Sequence, residues 1–112
     1  MKLGFLTAPF EDTPLMDVAG WAASAGFETL EIACWPKAGY AARRYAGTSH
    51  IDVIDLPDDR AREIRVELAE KGLDISGLGY YPNPLNPDPE HREQVIGHLQ
   101  KVIEAARKMD VP

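Results

Sequence analysis

Gly26-Phe27-Glu28-Thr29-Leu30-Glu31-Ile32-Ala33-Cys34-Trp35 is the stretch that decides how the chain is read. A glycine closes a helical pattern, a short run of β-forming residues follows, and an aromatic residue stands at its end. Alternation puts Leu30, Ile32 and Cys34 on one face and Glu31, Ala33 and Trp35 on the other. Apolar residues on both faces predict a strand in a parallel sheet covered on both sides. Glu31 breaks that rule. A carboxylate in mid-strand needs a partner or water, because an isolated buried charge is costly.

The same unit recurs on either side of this strand. Leu3–Ala8 reads as a strand that breaks at Pro9. Thr13 offers an N-cap hydroxyl and Pro14 suits the first helical position, where a missing N–H costs nothing. Leu15, Val18, Ala19 and Ala22 recur at helical spacing, and Gly26 is the expected left-handed residue after the helix. Pro57 with Asp58 and Asp59 opens a second helix, whose inward stripe is Ala61, Ile64 and Leu68 and whose end is Gly72. Leu73–Tyr80 is the third strand, followed by the turn-rich Pro82-Asn83-Pro84-Leu85-Asn86-Pro87. Asp88 is expected to cap a third helix with Pro89 at its start. Val95, Leu99, Val102 and Ala106, flanked by Ile96 and Ile103, give that helix the strongest amphipathic pattern in the chain.

The joints repeat as well. Ala25-Gly26-Phe27-Glu28, Lys71-Gly72-Leu73-Asp74 and Lys108-Met109-Asp110-Val111 each stand where a helix hands over to a strand. Asp110 replaces the glycine expected there, which predicts a frayed helix end. Strands alternating with helices at this spacing argue for parallel strands joined by right-handed crossovers. Only Pro112 follows the last joint, so the expected fourth strand does not begin. Between Pro36 and Leu56 lies an irregular stretch holding Lys37, Tyr40, Arg43, Arg44, Tyr45, Thr48, Ser49 and His50. A loop of about 20 residues in a compact domain is usually functional or disordered.

Composition narrows the field. The 112 residues allow one domain, and 45% hydrophobic content is that of a globular chain. No apolar run approaches the roughly 18 residues of a membrane span, and Met1-Lys2-Leu3-Gly4-Phe5 turns polar too soon for a secretory signal. Neither a membrane span nor a membrane partner is expected. One cysteine excludes an internal disulfide and fits a reducing cytoplasm. A net charge of −6 with interleaved signs speaks against a nucleic-acid partner, which calls for clustered Lys and Arg.

Four segments carry a family resemblance. Leu3-Gly4-Phe5-Leu6-Thr7-Ala8-Pro9-Phe10, the Gly26–Trp35 strand, Ala46-Gly47-Thr48-Ser49-His50-Ile51-Asp52 and Tyr80-Tyr81-Pro82-Asn83-Pro84-Leu85 resemble the sugar phosphate isomerase/epimerase family, which has the xylose-isomerase-like TIM barrel. A complete barrel needs about 250 residues. The resemblance therefore implies an α/β fold in which residues 1–112 are the first three parallel βα units of a (β/α)8 barrel, truncated before strand 4. It also implies part of a metal-dependent sugar or sugar-phosphate isomerase or epimerase, moving a proton beside a carbonyl. In the full-length family a divalent metal (Mn, Mg, Co or Zn) polarises the carbonyl oxygen and steadies the developing charge. Its ligands lie chiefly on later strands, and no residue here matches a ligand motif. This chain alone is expected to bind no metal and to be inactive, and no catalytic base is assigned. The alternatives are a non-catalytic fragment or self-associating half-barrel module, and an endonuclease-like barrel acting at abasic DNA sites. The acidic balance weighs against the last.

In such a barrel the face opposite the helices looks inward, and polar residues near its C-terminal rim serve ligands. Glu31 either bonds within the barrel floor or faces the ligand. Trp35 is either a wall against a sugar face or ordinary core. His50 is either a ligand contact and proton carrier or a satisfied loop histidine. Arg43 and Arg44 either grip a phosphate or are solvated. Tyr80, Tyr81 and Asn83 follow the third strand with groups that suit sugar hydroxyls. His91 and His98, on the third helix, are expected at the surface, and Cys34 is expected to be a buried structural thiol.

Overall fold

Short β-forming runs bounded by proline and glycine become strands, and the stripes of helical period become helices. Their order is β1 (Gly4–Leu6), α1 (Leu15–Ser24), β2 (Thr29–Ala33), α2 (Asp58–Glu70), β3 (Asp74–Gly79) and α3 (Pro89–Lys108). The computed structural model describes residues 1–37 and 48–112. Tyr40, Arg43, Arg44 and Tyr45 lie outside the described residues, and with them the phosphate reading of the two arginines.

The strands form one parallel sheet in the order β1-β2-β3, as expected for consecutive βα units. Leu30, Ile32 and Cys34 face the helices and are fully buried against Ala19 and Ala22 of α1, Ile64 and Leu68 of α2, and Val102 of α3. At about 25 cal/mol per Å² of apolar surface removed from water, this helix-side layer is the main source of stability. The ladder slips once. Leu30 pairs with Ile75 but Glu31 pairs with Gly77, leaving Ser76 as an extra residue. Beyond the bulge, Gly77 and Gly79 stand opposite Glu31 and Ala33 on the inner face, while Leu78 keeps to the helix side opposite Ile32.

All three helices leave through the same joint. Gly26, Gly72 and Asp110 have φ of 92°, 76° and 54°. At each joint the following residue bonds back five positions, from Phe27 N–H to Ala22 O, Leu73 to Leu68 and Val111 to Ala106, at 3.0, 2.9 and 2.9 Å. The left-handed residue itself donates to Ala23, Ala69 and Arg107. This is the double-bonded C-cap that satisfies the last helical carbonyls. The expected fraying at Asp110 does not occur, because aspartate tolerates the left-handed region better than most residues.

Helix starts differ from expectation in one case. α1 begins at Leu15, with Pro14 in the capping position at ψ 148° and no side-chain cap. Thr13 is therefore not the cap, and its carbonyl serves His50 instead. Asp88 does cap α3, its carboxylate accepting the Glu90 N–H at 3.1 Å. The buried stripe of α3 is Val95, His98, Val102 and Ala105, not one centred on Leu99 and Ala106. Ile96 and Ile103 are 41% and 62% exposed, so the helix is rotated away from the most apolar choice. His98, inside that buried stripe, makes a polar contact with the end of β2.

Candidate functional site

β1 ends at Leu6, and beyond it the backbone of residues 48–50 takes its place beside the end of β2. Trp35 N–H donates to Thr48 O at 3.0 Å and His50 N–H to Ala33 O at 2.9 Å, while on the other side Cys34 N–H reaches Gly79 O at 2.9 Å. Side chains fasten this segment to the β1–α1 loop. The Thr48 hydroxyl donates to Ala8 O at 2.9 Å, and Thr7 Oγ1 accepts the Ala33 N–H at 2.9 Å.

His50 completes the fastening. Its Nε2 lies 3.1 Å from Phe10 O and 2.9 Å from Thr13 O, and carbonyls only accept, so Nε2 carries the proton. Nδ1 then accepts from the Thr7 hydroxyl at 2.8 Å. Burial pushes the imidazole pKa down, against the two carbonyls that favour the charged form. Both ring nitrogens are taken up inside the protein, which is the satisfied loop histidine of the two sequence readings.

The inner face is built from small residues around one carboxylate. Gly4 lies so close to Thr29 that a β-carbon there would stand 2.2 Å from the Thr29 carbonyl oxygen. A β-carbon on Gly79 would meet Leu6 Cδ1 at 2.9 Å, the Tyr81 ring at 3.4 Å and Glu31 Oε1 at 3.5 Å. Gly79 is therefore the floor on which the Glu31 carboxylate and the Tyr81 ring converge. Among the described residues no hydrogen bond or ion pair reaches that carboxylate. Below it, a shallow hollow of about 440 Å³ runs along Lys2, Gly4, Leu6, Thr29 and Ser76.

Aromatic rings wall this floor. Trp35 packs edge-on against Tyr80 and Tyr81 with ring centroids 5.8 and 5.9 Å apart. Tyr81 is 62% exposed, so its ring is open to a ligand. Tyr80 turns the other way, and burial raises its pKa. Trp35, Tyr80 and Tyr81 thus pack together beyond the strand ends, and Tyr81 shares the Gly79 floor with Glu31. Asn83 does not join them, since its side-chain oxygen accepts the Leu85 N–H at 2.9 Å within its own exposed turn.

His98 overturns its sequence reading. It is buried at 8% exposure, not at the surface, and its Nε2 donates to Cys34 O at 2.7 Å. Its ring lies edge-on to Tyr80 at 4.5 Å. His91 is exposed, as expected. Cys34 is a buried thiol whose pKa burial pushes up to about 12, so it is not a nucleophile near neutrality. Sequence reasoning also passed over Thr7 and Gly79. The glycines at alternate positions of β3, opposite a carboxylate, were the available signal.

Among the described residues no three His, Cys, Asp or Glu side chains gather as a metal site requires. Glu31 alone does not make one, so the described donors do not fit a metal. No helix among the described residues is long and apolar enough to cross a membrane. No curated protein matches the chain. The family described as xylose isomerase-like TIM barrel matches it over residues 19–112.

Proposed function

The chain belongs to the xylose isomerase-like TIM barrel family, and from that premise we propose that it serves sugar or sugar-phosphate isomerisation or epimerisation by binding the sugar at the rim of β2 and β3. The observation that carries this reading is the convergence of Glu31 Oε1 and the Tyr81 ring over the bare floor of Gly79. A sugar presents hydroxyl donors on its edge and C–H bonds on its face. A carboxylate with no partner among the described residues accepts the first, and the Trp35–Tyr81 wall suits the second. A glycine floor lets the ring lie against the backbone. The carboxylate at the rim supports a sugar over DNA, as does the net charge of −6. A buried free thiol supports a reducing compartment, and we place the chain in the cytoplasm.

Proton transfer beside a carbonyl needs a placed base and groups that hold the enediolate charge. Glu31 offers a base. The described donors do not form the metal site of the expected chemistry, and no step is routed through a metal here. The 112-residue chain is therefore expected to bind sugar without turning it over.

Calorimetric titration with D-fructose, D-xylose and their phosphates tests the reading. Saturable binding is expected, weakened about tenfold by Tyr81→Ala or Glu31→Gln, the loss of one net hydrogen bond or ring contact. Assays with and without Mn²⁺, Mg²⁺, Co²⁺ or Zn²⁺ are expected to show no turnover. Absence of saturable binding by any of these sugars overturns the proposal.

A further inference from the structure

We infer that His98 is a positioning residue, which fixes the direction in which Trp35 leaves β2 and so sets the aromatic wall of the rim. In a parallel ladder, the rung from Cys34 N–H to Gly79 O would be followed by one from Tyr81 N–H to Cys34 O. Instead the chain turns away through Tyr81-Pro82. Among the described residues the donor to the Cys34 carbonyl is His98 Nε2, at 2.7 Å and 64 positions further along. The imidazole stands where the next backbone rung would be.

The other end of the same peptide unit is held too, by the bond from Trp35 N–H to Thr48 O at 3.0 Å. With both polar atoms of the Cys34–Trp35 peptide engaged, its plane is set, and the indole is delivered against Tyr80 and Tyr81. The His98 ring also backs Tyr80 at 4.5 Å, so one side chain supports the wall at two points. Its place in the stripe makes the same case. Its neighbours on the buried face of α3 are Val95, Val102 and Ala105, where an aliphatic residue would pack as well. A buried imidazole there is accounted for by the carbonyl it serves.

The affinity part of the test rests on the sugar reading, whereas the spectroscopic part does not. The sequence has 2 tryptophans, and Trp21→Phe leaves Trp35 as the sole reporter. In that background His98→Phe keeps an aromatic ring against Tyr80 but loses the donor, and His98→Gln keeps an N–H. Acrylamide quenching and the near-ultraviolet circular dichroism of Trp35 are read alongside calorimetric affinity for D-fructose and D-fructose 6-phosphate. His98→Phe is expected to shift the Trp35 signals and weaken sugar binding about tenfold, with His98→Gln restoring both to near the parent. A folded His98→Phe protein with parental Trp35 signals overturns the inference, as does a Gln variant no better than Phe. If the Phe variant does not fold, His98→Leu takes its place as the variant without a donor. Shifted Trp35 signals in it beside near-parental ones in the Gln variant support the role, and parental signals in a folded Leu protein or a Gln variant no better than Leu overturn it. If no sugar binds the parent but the Trp35 pattern holds, the sugar reading fails and the role of His98 stands.

Discussion

Two glycines on the inner face carry opposite consequences for substitution, because their neighbours differ in how far they can give. A β-carbon on Gly4 would press on the Thr29 backbone at 2.2 Å, and a strand backbone cannot step aside. Gly4→Ala is expected to cost about 1–3 kcal/mol, the usual range for overpacking, read as a lower denaturation midpoint. On Gly79 the nearest atom is the far end of Leu6, which can rotate, at 2.9 Å. Gly79→Ala is expected to change stability by less than about 1 kcal/mol while reducing sugar affinity about tenfold. His50 makes a third prediction. Its folded-state pKa lies below the ordinary 6.5, so the folded protein binds fewer protons than the unfolded chain as pH falls past that value. Stability from this group is intact above about pH 6.5 and declines as pH drops toward the folded pKa. Thermal melts from pH 7.5 to 5.5 are expected to show the decline, with His50→Asn flattening its share of the slope.

The elements were legible where the governing rule was local. Gly26 and Gly72 announced the helix ends, Asp88 announced its cap, and the alternation of Leu30, Ile32 and Cys34 announced the buried face. Asp110 was misjudged because the joint depends on a backbone region that aspartate also reaches, at φ 54°. Asp110→Gly is accordingly expected to raise the midpoint of thermal unfolding, by the roughly 0.5–1 kcal/mol that a left-handed position favours glycine. What could not be read was the long-range pairing. Nothing local in Thr48-Ser49-His50 says that it will lie antiparallel to the end of β2, since Cys34 and Ser49 meet only through the fold. His98 was lost for the same reason. A histidine in a helical stripe counts as a polar gap until its partner, a carbonyl at a strand end, is in view. Of the candidate rim, Glu31 was readable from its mid-strand place and Trp35, Tyr80 and Tyr81 from strand-end position, whereas the hydrogen bonds that take up His50 and Asn83 run to distant or turn backbone.

Among the described residues, the helix layer covers one face of the sheet, and the sheet has two edge strands with one neighbour each. Beside the β1 edge, Trp21 is 52% exposed within a cluster of Phe5, Phe10 and Phe27, and on α3 Ile96 and Ile103 are also open. Open edges flanked by apolar groups invite pairing with another copy. Light scattering across a concentration series is expected to show self-association that weakens when Trp21 is replaced by Lys; a concentration-independent monomer would count against it. The sheet also carries its own rule for losing or gaining residues. Side chains alternate, so removing one residue from a strand ordinarily turns everything beyond it inside out. Ser76 is the exception. Because it is the surplus residue between Ile75 and Gly77 in the pairing with β2, excising it leaves Ile75 and Leu78 toward the helices and Gly77 and Gly79 toward Glu31. The Ser76 deletion is expected to fold, whereas removing Leu78 is expected to abolish the cooperative melt. Along β3, length variation is thus permitted at a single position.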